Sequence, residues 1–272
     1  MQDELFQQYV QVVQGHFGIQ LPPEKKALLE SRLFKLFLEH EGYEEFADAA
    51  SFLKYVKNDA SGTALNFLAE AITTHHTFFM READHFDFFG SQVLPYLEKS
   101  ISDGDIRTWC AACSSGEESY SLAMLLADYF VPRGGRWEAT LLATDLSQDI
   151  LNTAKQGIYS AEAVSSLPAQ WQNMYFQRLV DGSYQINDFI RSRVLYRQFN
   201  LMNPVFPFKK SFHVIFCRNV MIYFDTPTRD SLVRKFYDFL EPGGFLFVGH
   251  SEVIDRKAAD FEYVMPSVYR KK

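Results

Sequence analysis

The chain has 272 residues, of which 47% are hydrophobic and 22% charged, and its formal net charge at pH 7 is -7. This acidic balance argues against a nucleic-acid partner, because binding to phosphates requires a basic surface. Three cysteines do not make a disulfide framework, and no apolar run approaches the roughly 20 residues of a spanning helix, so we expect a cytoplasmic protein without membrane insertion.

Residues 1–73 are predicted to form a small domain of helices only, because their apolar side chains recur at helical spacing and do not alternate. The chain enters the second of four predicted helices after Pro22 and Pro23. The four apolar stripes are Leu5, Tyr9, Val12 and Val13; Leu29, Leu33, Leu36 and Phe37; Phe46, Ala49, Ala50, Leu53 and Val56; and Leu65, Leu68, Ala71 and Ile72.

From Ile106 onwards, predicted strands alternate with predicted helices. The strands are "IRTWC", "WEATLLATD", "FHVIFC" and "FLFVGH". The helices are "GEESYSLAMLLADYF", "SQDILNTAKQG" and one for which Thr226 is the predicted cap and Pro227 the first position, ended by "EPGG". This alternation predicts an α/β domain with a parallel sheet, and ligands of such sheets lie at the carboxyl ends of the strands.

One segment, about 174–193, interrupts the alternation. It contains two short strand-like runs around Asp181 and Gly182, a residue pair that is common in hairpin turns. We therefore predict a small β-hairpin inserted into the α/β domain.

The loop "WCAACSSGEESYSLA", residues 109–123, leads from the first of these strands into a helix. It has neither the lysine of a P-loop nor the glycines of a dinucleotide-binding loop, and Glu117 and Glu118 would repel a pyrophosphate. The ligand that remains offers hydroxyls, an amine or a sulfonium to these carboxylates, and S-adenosylmethionine has all three. Asp145, at the end of the next strand, is placed to accept its two ribose hydroxyls.

Simpler interpretations of these acidic residues stay open. Glu117 and Glu118 could complement the dipole at the start of a helix, and for Glu118 alone we favour that interpretation. Asp145 could be the N-cap of the helix that follows it.

No metal site is predicted from the sequence. Cys110 and Cys113 have C-x-x-C spacing, but no second cysteine pair follows them, which disfavours zinc binding or redox chemistry. His75 and His76 are adjacent in "TTHHT", and the histidine of "GHSE" has no paired histidine nearby, so neither stretch has the spacing of metal ligands.

Five stretches carry a family resemblance: "ITTHHTFFMREADHF" (72–86), "ACSSGEESYS" (112–121), "ATD" (143–145), "FCRNVMIYF" (216–224) and "EPGGFLFVGHSE" (241–252). Their order and spacing resemble those of the CheR-type chemotaxis-receptor methyltransferases, which are S-adenosylmethionine-dependent protein-glutamate O-methyltransferases. The resemblance covers nearly the whole chain. It implies a Rossmann-like class I methyltransferase sheet with an N-terminal all-α domain and an inserted small antiparallel β-subdomain.

The same resemblance implies the domain boundaries and the cofactor. Residues 1–73 would be the helical domain, residues 74–90 a linker that carries the motif of Thr77 and Arg81, and residues 91–272 the methyltransferase domain, with the β-subdomain at about 174–193. The cofactor would be S-adenosylmethionine, and S-adenosylhomocysteine would be its product.

The family pattern also implies a role for individual positions. Arg81 in "FFMRE" matches an active-site arginine, and Tyr223 in "MIYF" matches a tyrosine near the transferred methyl group. The positions that match cofactor contacts are His75, Thr77, Arg81, Glu117, Asp145, Asn200, Leu201, Arg218 and Asn219. The family has asparagine at the position of His75.

The implied partner is the cytoplasmic helical region of a methyl-accepting receptor. Lys25, Arg32 and Lys35 share roughly one face of the second predicted helix and could meet an acidic receptor helix. Acidic residues are interspersed with them, so a solvated face is an equal alternative; these residues are Glu30, Glu39 and Glu41. The hairpin loop "RLVDGSYQ" is shorter than in members that grip a peptide at the receptor's C-terminus, so we do not expect that tether.

The chemistry implied is methyl transfer to a glutamate carboxylate, which is ionised at neutral pH and needs no general base. We expect Arg81 to hold the incoming carboxylate or to pack beside the methyl group, and Tyr223 to fix the approach. The simpler alternative for Arg81 is a salt bridge with Glu82 or Asp84.

Three other functions compete with this one. The chain could be a catalytically degenerate S-adenosylmethionine-binding regulatory module, or it could methylate a receptor outside flagellar chemotaxis. A methyltransferase for small molecules or nucleic acid is disfavoured, because the chain is acidic and the helical domain and hairpin suit a protein substrate.

Overall fold

The computed structural model describes residues 1–39, 48–135, 137–255 and 258–272. Four helices form the N-terminal region: α1 (Asp3–Phe17), α2 (Lys26–Glu39), α3 (Ala49–Asn58) and α4 (Thr63–Ile72). Their apolar stripes pack on one another, and the side chains exposed by 1% or less include Tyr9, Val13, Leu33, Phe52 and Leu68. The predicted helical N-terminal region is therefore confirmed, while the predicted stripe residue Phe46 lies outside the described residues, as does Glu41.

The α/β region is built on strands β1 (Thr108–Ala111), β2 (Leu141–Asp145), β3 (Ile158–Tyr159), β4 (Phe176–Arg178), β5 (Tyr184–Ile186), β6 (Val194–Gln198), β7 (Phe212–Cys217), β8 (Leu240–Val248), β9 (Phe261–Met265) and β10 (Val268–Lys271). Seven of them form one sheet in the order β6-β2-β1-β7-β8-β10-β9. Neighbouring strands are parallel except that β10 is antiparallel to β8 and to β9. The predicted parallel α/β sheet is confirmed, with β1 at the point where the strand order reverses.

The helices of this region are α5 (Ala83–Phe88), α6 (Leu94–Ser100), α7 (Glu117–Phe130), α8 (Gln148–Gln156), α9 (Ala161–Ser165), α10 (Ala169–Tyr175), α11 (Asp188–Arg191) and α12 (Thr226–Asp238). Successive strand residues point to opposite faces of the sheet. Cys110 and Phe216 accordingly join the core that contains α7, and Trp109 and Ile215 join the core that contains α12. None of the helices in the described ranges is long and apolar enough to cross a bilayer.

A second, three-stranded antiparallel sheet in the order β3-β5-β4 forms the inserted β-subdomain. Its hairpin turns at Asp181 and Gly182, as predicted, and Gly182 takes a φ of 88°. The sheet also takes in β3, which precedes the predicted range. Phe79 lies in the segment that leads out of the helical region. Its ring packs edge-on against the rings of Tyr159 and Phe176, with centroid distances of 4.8 and 5.8 Å, so this segment contacts the insertion.

Two local predictions are wrong, and part of the large sheet was not predicted. Asp225, not Thr226, caps α12: its carboxylate accepts from the backbone N–H of Thr228 at 2.9 Å, and Thr226 and Pro227 are the first two helical residues. The stretch "EPGG" belongs to β8 and does not end the helix, which stops at Asp238. Strands β6, β9 and β10 were not predicted, because their side chains are part buried and part exposed and give no continuous apolar run.

The helical and α/β regions are joined by hydrogen bonds as well as by packing. The backbone N–H of Gln20, after α1, donates to the carbonyl of Tyr223 at 2.8 Å. Glu70 of α4 accepts from the Ser147 hydroxyl and, at 3.3 Å, from the backbone N–H of Asp149, at the start of α8. The last turn of α4 therefore satisfies donors at a helix start of the other region.

His213 of β7 makes fold stability depend on pH. Its Nδ1 accepts from the backbone N–H of Arg107 at 3.1 Å, and burial and the charge of Arg107 lower its pKa to about 4. An unfolded histidine takes up a proton near pH 6.5 and the folded one does not, so the free energy of unfolding should fall as the pH drops from about 6.5 towards 4. Because the ring is partly exposed, we expect less than about 1.4 kcal/mol per pH unit from this residue.

Urea denaturation at about pH 7 and about pH 5 checks this prediction, on the wild type and on His213→Gln. The variant has no imidazole at this position, so it should lose less stability between the two pH values. Equal losses in the two proteins would assign the pH dependence to other groups.

Candidate functional site

A cavity of about 220 Å³ lies at the carboxyl ends of β1, β2 and β7. The helical region closes one side of it with Phe17, Leu21 and Lys25. Nine of the predicted site residues line the cavity: His75, Thr77, Arg81, Asp145, Asn200, Leu201, Arg218, Asn219 and Tyr223. Glu117 does not line it, whereas Glu118 does.

The loop after β1 turns sharply with only one glycine. Ala112 (φ 76°), Ser114 (φ 50°) and Gly116 (φ 99°) all have left-handed backbone conformations. The backbone N–H groups of Ala112 and Cys113 both donate to the carbonyl of Thr144 at 2.8 Å, which ties the loop to the end of β2. These hydrogen bonds offset the cost of the left-handed conformation at two residues that are not glycine.

Gly116 combines a left-handed backbone with tight surroundings, so a side chain at this position should be costly. A Cβ there would lie 2.9 Å from the hydroxyl of Tyr159 and 3.0 Å from that of Tyr196. We expect Gly116→Ala to lower the free energy of unfolding by about 2–4 kcal/mol, from backbone strain and from the close contacts together. Gly182→Ala is the matched control, because that glycine also has a positive φ and nothing lies within 4 Å of its added Cβ.

Urea denaturation of both variants separates the two costs. Gly182→Ala should lose only the backbone share, about 1–2 kcal/mol. Losses of the same size in both variants would mean that contact with Tyr159 and Tyr196 contributes nothing.

Asp145 holds the loop and faces the cavity. One carboxylate oxygen accepts from the backbone N–H of Ser114 at 2.8 Å, and the other from that of Ser147 at 3.1 Å. Burial raises the pKa of Asp145 above its usual range, although the two backbone donors act in the opposite direction. The alternative that Asp145 caps α8 is wrong, since Ser147 is the cap and accepts from the backbone N–H of Ile150.

The two glutamates of the loop have different surroundings. Glu117 accepts from the hydroxyl of Ser115 at 2.6 Å, and burial raises its pKa. Glu118 forms an ion pair with Arg218 at 2.8 Å and accepts from the Cys110 thiol at 3.2 Å. The interpretation of Glu118 as a complement to the helix dipole is therefore incomplete, because it omits this pair.

Arg218 is the buried centre of the site. Its guanidinium is held by Glu118, by Glu82 at 2.9 Å and by the backbone carbonyl of Arg81. Burial alone would raise the pKa of Glu82, but the hydrogen bonds and charge of Arg218, with help from Asn219, hold it below the usual range. Sequence reasoning missed this network, because Arg218 is separated from Glu118 by 100 residues and from Glu82 by 136.

Arg81 directs its side chain to the cavity from a strained segment. Its neighbours Met80 (φ 56°) and Glu82 (φ 58°) both have left-handed backbones. The guanidinium donates to the carbonyl of His76 at 3.0 Å and lies 5.9 Å from the centroid of the Phe78 ring. The alternative of a salt bridge with Glu82 or Asp84 is not observed in the described chain, where those carboxylates pair with Arg218 and His250.

Three further predicted residues are held by the fold around the cavity. His75 accepts from the Ser114 hydroxyl through its carbonyl at 3.4 Å. The side chain of Asn200 donates to the carbonyl of His16 at 2.8 Å, across the boundary between the regions. The backbone N–H of Asn219 donates to the carboxylate of Glu252 at 2.8 Å.

Intramolecular contacts engage Arg32 and Lys25, which were predicted to share one face of the second helix with Lys35. Arg32 donates to the carbonyls of Ala71 and Thr73, at 3.3 and 2.9 Å, and so fixes the end of α4. The ammonium of Lys25, just before α2, lies 5.4 Å from the centroid of the Tyr223 ring.

The prediction that the histidine of "GHSE" has no histidine nearby is wrong in three dimensions. The ring centroids of His250 and His85 are 4.7 Å apart. Cys110 and Cys113 are free and buried, and burial raises the pKa of both thiols well above its usual value, which makes thiolate chemistry there unfavourable.

Comparisons with known proteins agree on one family. The model of the family described as "CheR methyltransferase, SAM binding domain" matches residues 75–269. The "Chemotaxis protein methyltransferase" of Borreliella burgdorferi is 39% identical over 272 residues, which cover 99% of this chain and 94% of that protein. The "Chemotaxis protein methyltransferase 2" of Vibrio cholerae is 36% identical over 247 residues, which cover 90% of this chain and 83% of that protein.

Proposed function

Since this chain belongs to the CheR methyltransferase family, we propose that it forms methyl esters on glutamate side chains in the cytoplasmic helical region of a chemotaxis-type receptor. The chain is an S-adenosylmethionine-dependent methyltransferase, and S-adenosylhomocysteine is the product left by the cofactor. The names of the two relatives, both chemotaxis protein methyltransferases, support a receptor of this kind as the substrate.

The main support for the proposal is that nine of the predicted site residues line one cavity. Their donors and acceptors fit S-adenosylmethionine. An ionised carboxylate has about four acceptor positions, and the backbone takes two of those of Asp145, so two are left for the ribose hydroxyls. We place the adenine beside Asn200 and Leu201, and the methionyl part beside Arg218 and Asn219.

Besides Asp145, a second acidic residue is proposed to lie beside the cofactor, and we favour Glu118 over Glu117 for this role. Glu118 lines the cavity and is fixed by Arg218, whereas Glu117 lies outside the lining. A contact between Glu117 and the cofactor stays a prediction of the family pattern.

The cofactor supplies an activated methyl group on a sulfonium. The chain itself has to bring a carboxylate in line with that methyl, since the carboxylate is already ionised. We assign this role to Arg81, because its guanidinium is observed to donate to only one of the described residues, His76. Several of its five N–H donors can therefore reach a substrate carboxylate. Tyr223, fixed through its backbone by Gln20, would border the approach.

The rim of the cavity supports a protein substrate. Phe78 is 46% exposed and Ile222 50% exposed, and they belong to the two segments that carry Arg81 and Tyr223. Exposed apolar side chains beside a catalytic cavity are suited to contact with another protein surface.

Transfer of a radioactive methyl group tests the proposal. The purified chain is incubated with S-adenosylmethionine labelled in the methyl group and with membranes that contain a methyl-accepting receptor. We expect label on the receptor that alkali releases as methanol, as it does from an ester. Cofactor binding without label on any receptor would indicate the catalytically degenerate module, and label that resists alkali would indicate transfer to nitrogen.

A further inference from the structure

We propose that Glu82, His85 and His250 form a binding site for a divalent transition metal ion, with Zn²⁺ preferred. One nitrogen of each imidazole and one carboxylate oxygen of Glu82 lie within 4.8 Å of one another. None of the three residues lines the cofactor cavity, although Glu82 contacts Arg218 and Asn219, which do.

His85 is the residue that calls for a cation. It is fully buried; its Nε2 lies 3.4 Å from the carbonyl of Pro266 and its Nδ1 3.6 Å from a carboxylate oxygen of Glu82. That Nδ1 has no hydrogen-bond partner among the described residues. A neutral imidazole has one N–H, so in either tautomer one ring nitrogen turns its lone pair towards an oxygen.

Protonation of His85 would also resolve this conflict, but the surroundings oppose it. His85 is fully buried and Arg218 adds a positive charge beside the cluster, and both disfavour a charged imidazole. A neutral imidazole is the form that binds metals, and a cation at Nδ1 would be attractive to both His85 and Glu82.

Oxygen acceptors orient both imidazoles for a metal. With Nε2 protonated, His85 donates to the carbonyl of Pro266, and His250 donates to Asp84, whose oxygen lies 3.1 Å away. The lone pair of each ring is then on Nδ1. Histidine ligands of metals commonly donate their other N–H to a carbonyl or a carboxylate in this way.

The charges around the cluster favour a cation. Arg218 faces it, but the guanidinium pairs with two carboxylates, those of Glu82 and Glu118, and a third carboxylate, that of Asp84, pairs with His250. Glu82 is further held by the side chain of Asn219 at 3.1 Å. The ligand set thus has an oriented carboxylate and a local excess of negative charge.

Two imidazoles and one carboxylate are a ligand set typical of Zn²⁺ with a fourth position for water. Ligand atoms around a tetrahedral zinc ion lie about 3.4 Å apart, so binding would contract the cluster. His250 has room to move, since its side chain is 45% exposed. The ion would link the segment that carries Arg81, through Glu82 and His85, to the loop after β8, through His250.

Metal content measures this directly. The full chain is equilibrated with Zn²⁺ alone, dialysed and analysed for metal per chain, and its Zn²⁺ affinity is measured by calorimetry. His250→Ala removes an exposed ligand, so this variant should keep the fold. Asp84→Ala removes the acceptor that orients His250. His16→Ala, at an exposed histidine in the helical region, reports background binding.

We expect one ion per chain for the wild type and for His16→Ala, an affinity at least tenfold lower for His250→Ala and about tenfold lower for Asp84→Ala. Cobalt in place of zinc should give the absorption of nitrogen and oxygen ligands only. The proposal is overturned if the wild type retains no ion, if His250→Ala binds as tightly as the wild type, or if cobalt shows charge transfer from a thiolate.

Discussion

Replacing Arg81 by alanine is expected to lower kcat for receptor methylation by at least about a hundredfold, with a much smaller effect on cofactor affinity. A positioned, charged donor that acts on the reacting group is worth roughly 3–4 kcal/mol in a site that excludes water. The backbone of Arg81 should not move in this variant, because Arg218 donates to its carbonyl, which the substitution leaves in place. The loss would then report the guanidinium itself.

Arg81→Lys is the matched control for charge. It keeps a cation but not the planar fork that holds a carboxylate with two parallel hydrogen bonds, so we expect it to restore only part of the rate. Single-turnover rates with saturating S-adenosylmethionine measure the effect on the chemical step. A normal rate for Arg81→Ala would remove Arg81 from the mechanism.

Replacing Asp145 by alanine is expected to weaken S-adenosylmethionine binding by a hundredfold or more. Hydrogen bonds to a charged group contribute about 1.5–3 kcal/mol each, and two ribose hydroxyls would lose this acceptor. The variant also frees the backbone N–H groups of Ser114 and Ser147, which adds to the loss by loosening the loop. Calorimetric titration with S-adenosylmethionine and S-adenosylhomocysteine should show the same loss for both, since both carry the ribose.

Glu117→Gln is the comparison for this experiment. Its carboxylate is turned towards Ser115 and does not line the cavity, so affinity should change by less than about threefold, or 0.7 kcal/mol. A loss comparable to that of Asp145→Ala would support the role that the family pattern gives to Glu117. An Asp145→Ala protein that binds the cofactor normally would contradict the proposed placement of the ribose.

Features that depend on short stretches of sequence were predicted well. Alternation of apolar strands and amphipathic helices predicted the parallel sheet, and the motif residues around Arg81, Asp145 and Arg218 do line one cavity. The helix cap was misplaced by one residue, because Asp225 and Thr226 are both good caps and the choice depends on which side chain reaches Thr228.

Contacts between distant segments could not be predicted. The acidic pair in "GEES" gives no sign that one carboxylate turns to Ser115 and the other to Arg218, 100 residues away. The contact between His85 and His250 likewise forms only because α5, which carries His85, packs against the end of β8. Side-chain direction at such points is set by tertiary packing, which spacing in one sequence does not record.

The interface between the helical and α/β regions forms part of the cofactor site, because three residues of the helical region line the cavity: Phe17, Leu21 and Lys25. A ligand that contacts both regions makes all its contacts only while the two regions are packed together. Cofactor binding and the packing of the two regions are therefore thermodynamically linked. Saturation with cofactor should therefore slow amide hydrogen exchange in α1 and α4, whose last residues, Phe17 and Ile72, line the cavity. By the same reciprocity, whatever holds or loosens the helical region, including a receptor bound to it, tunes how tightly the cofactor is retained.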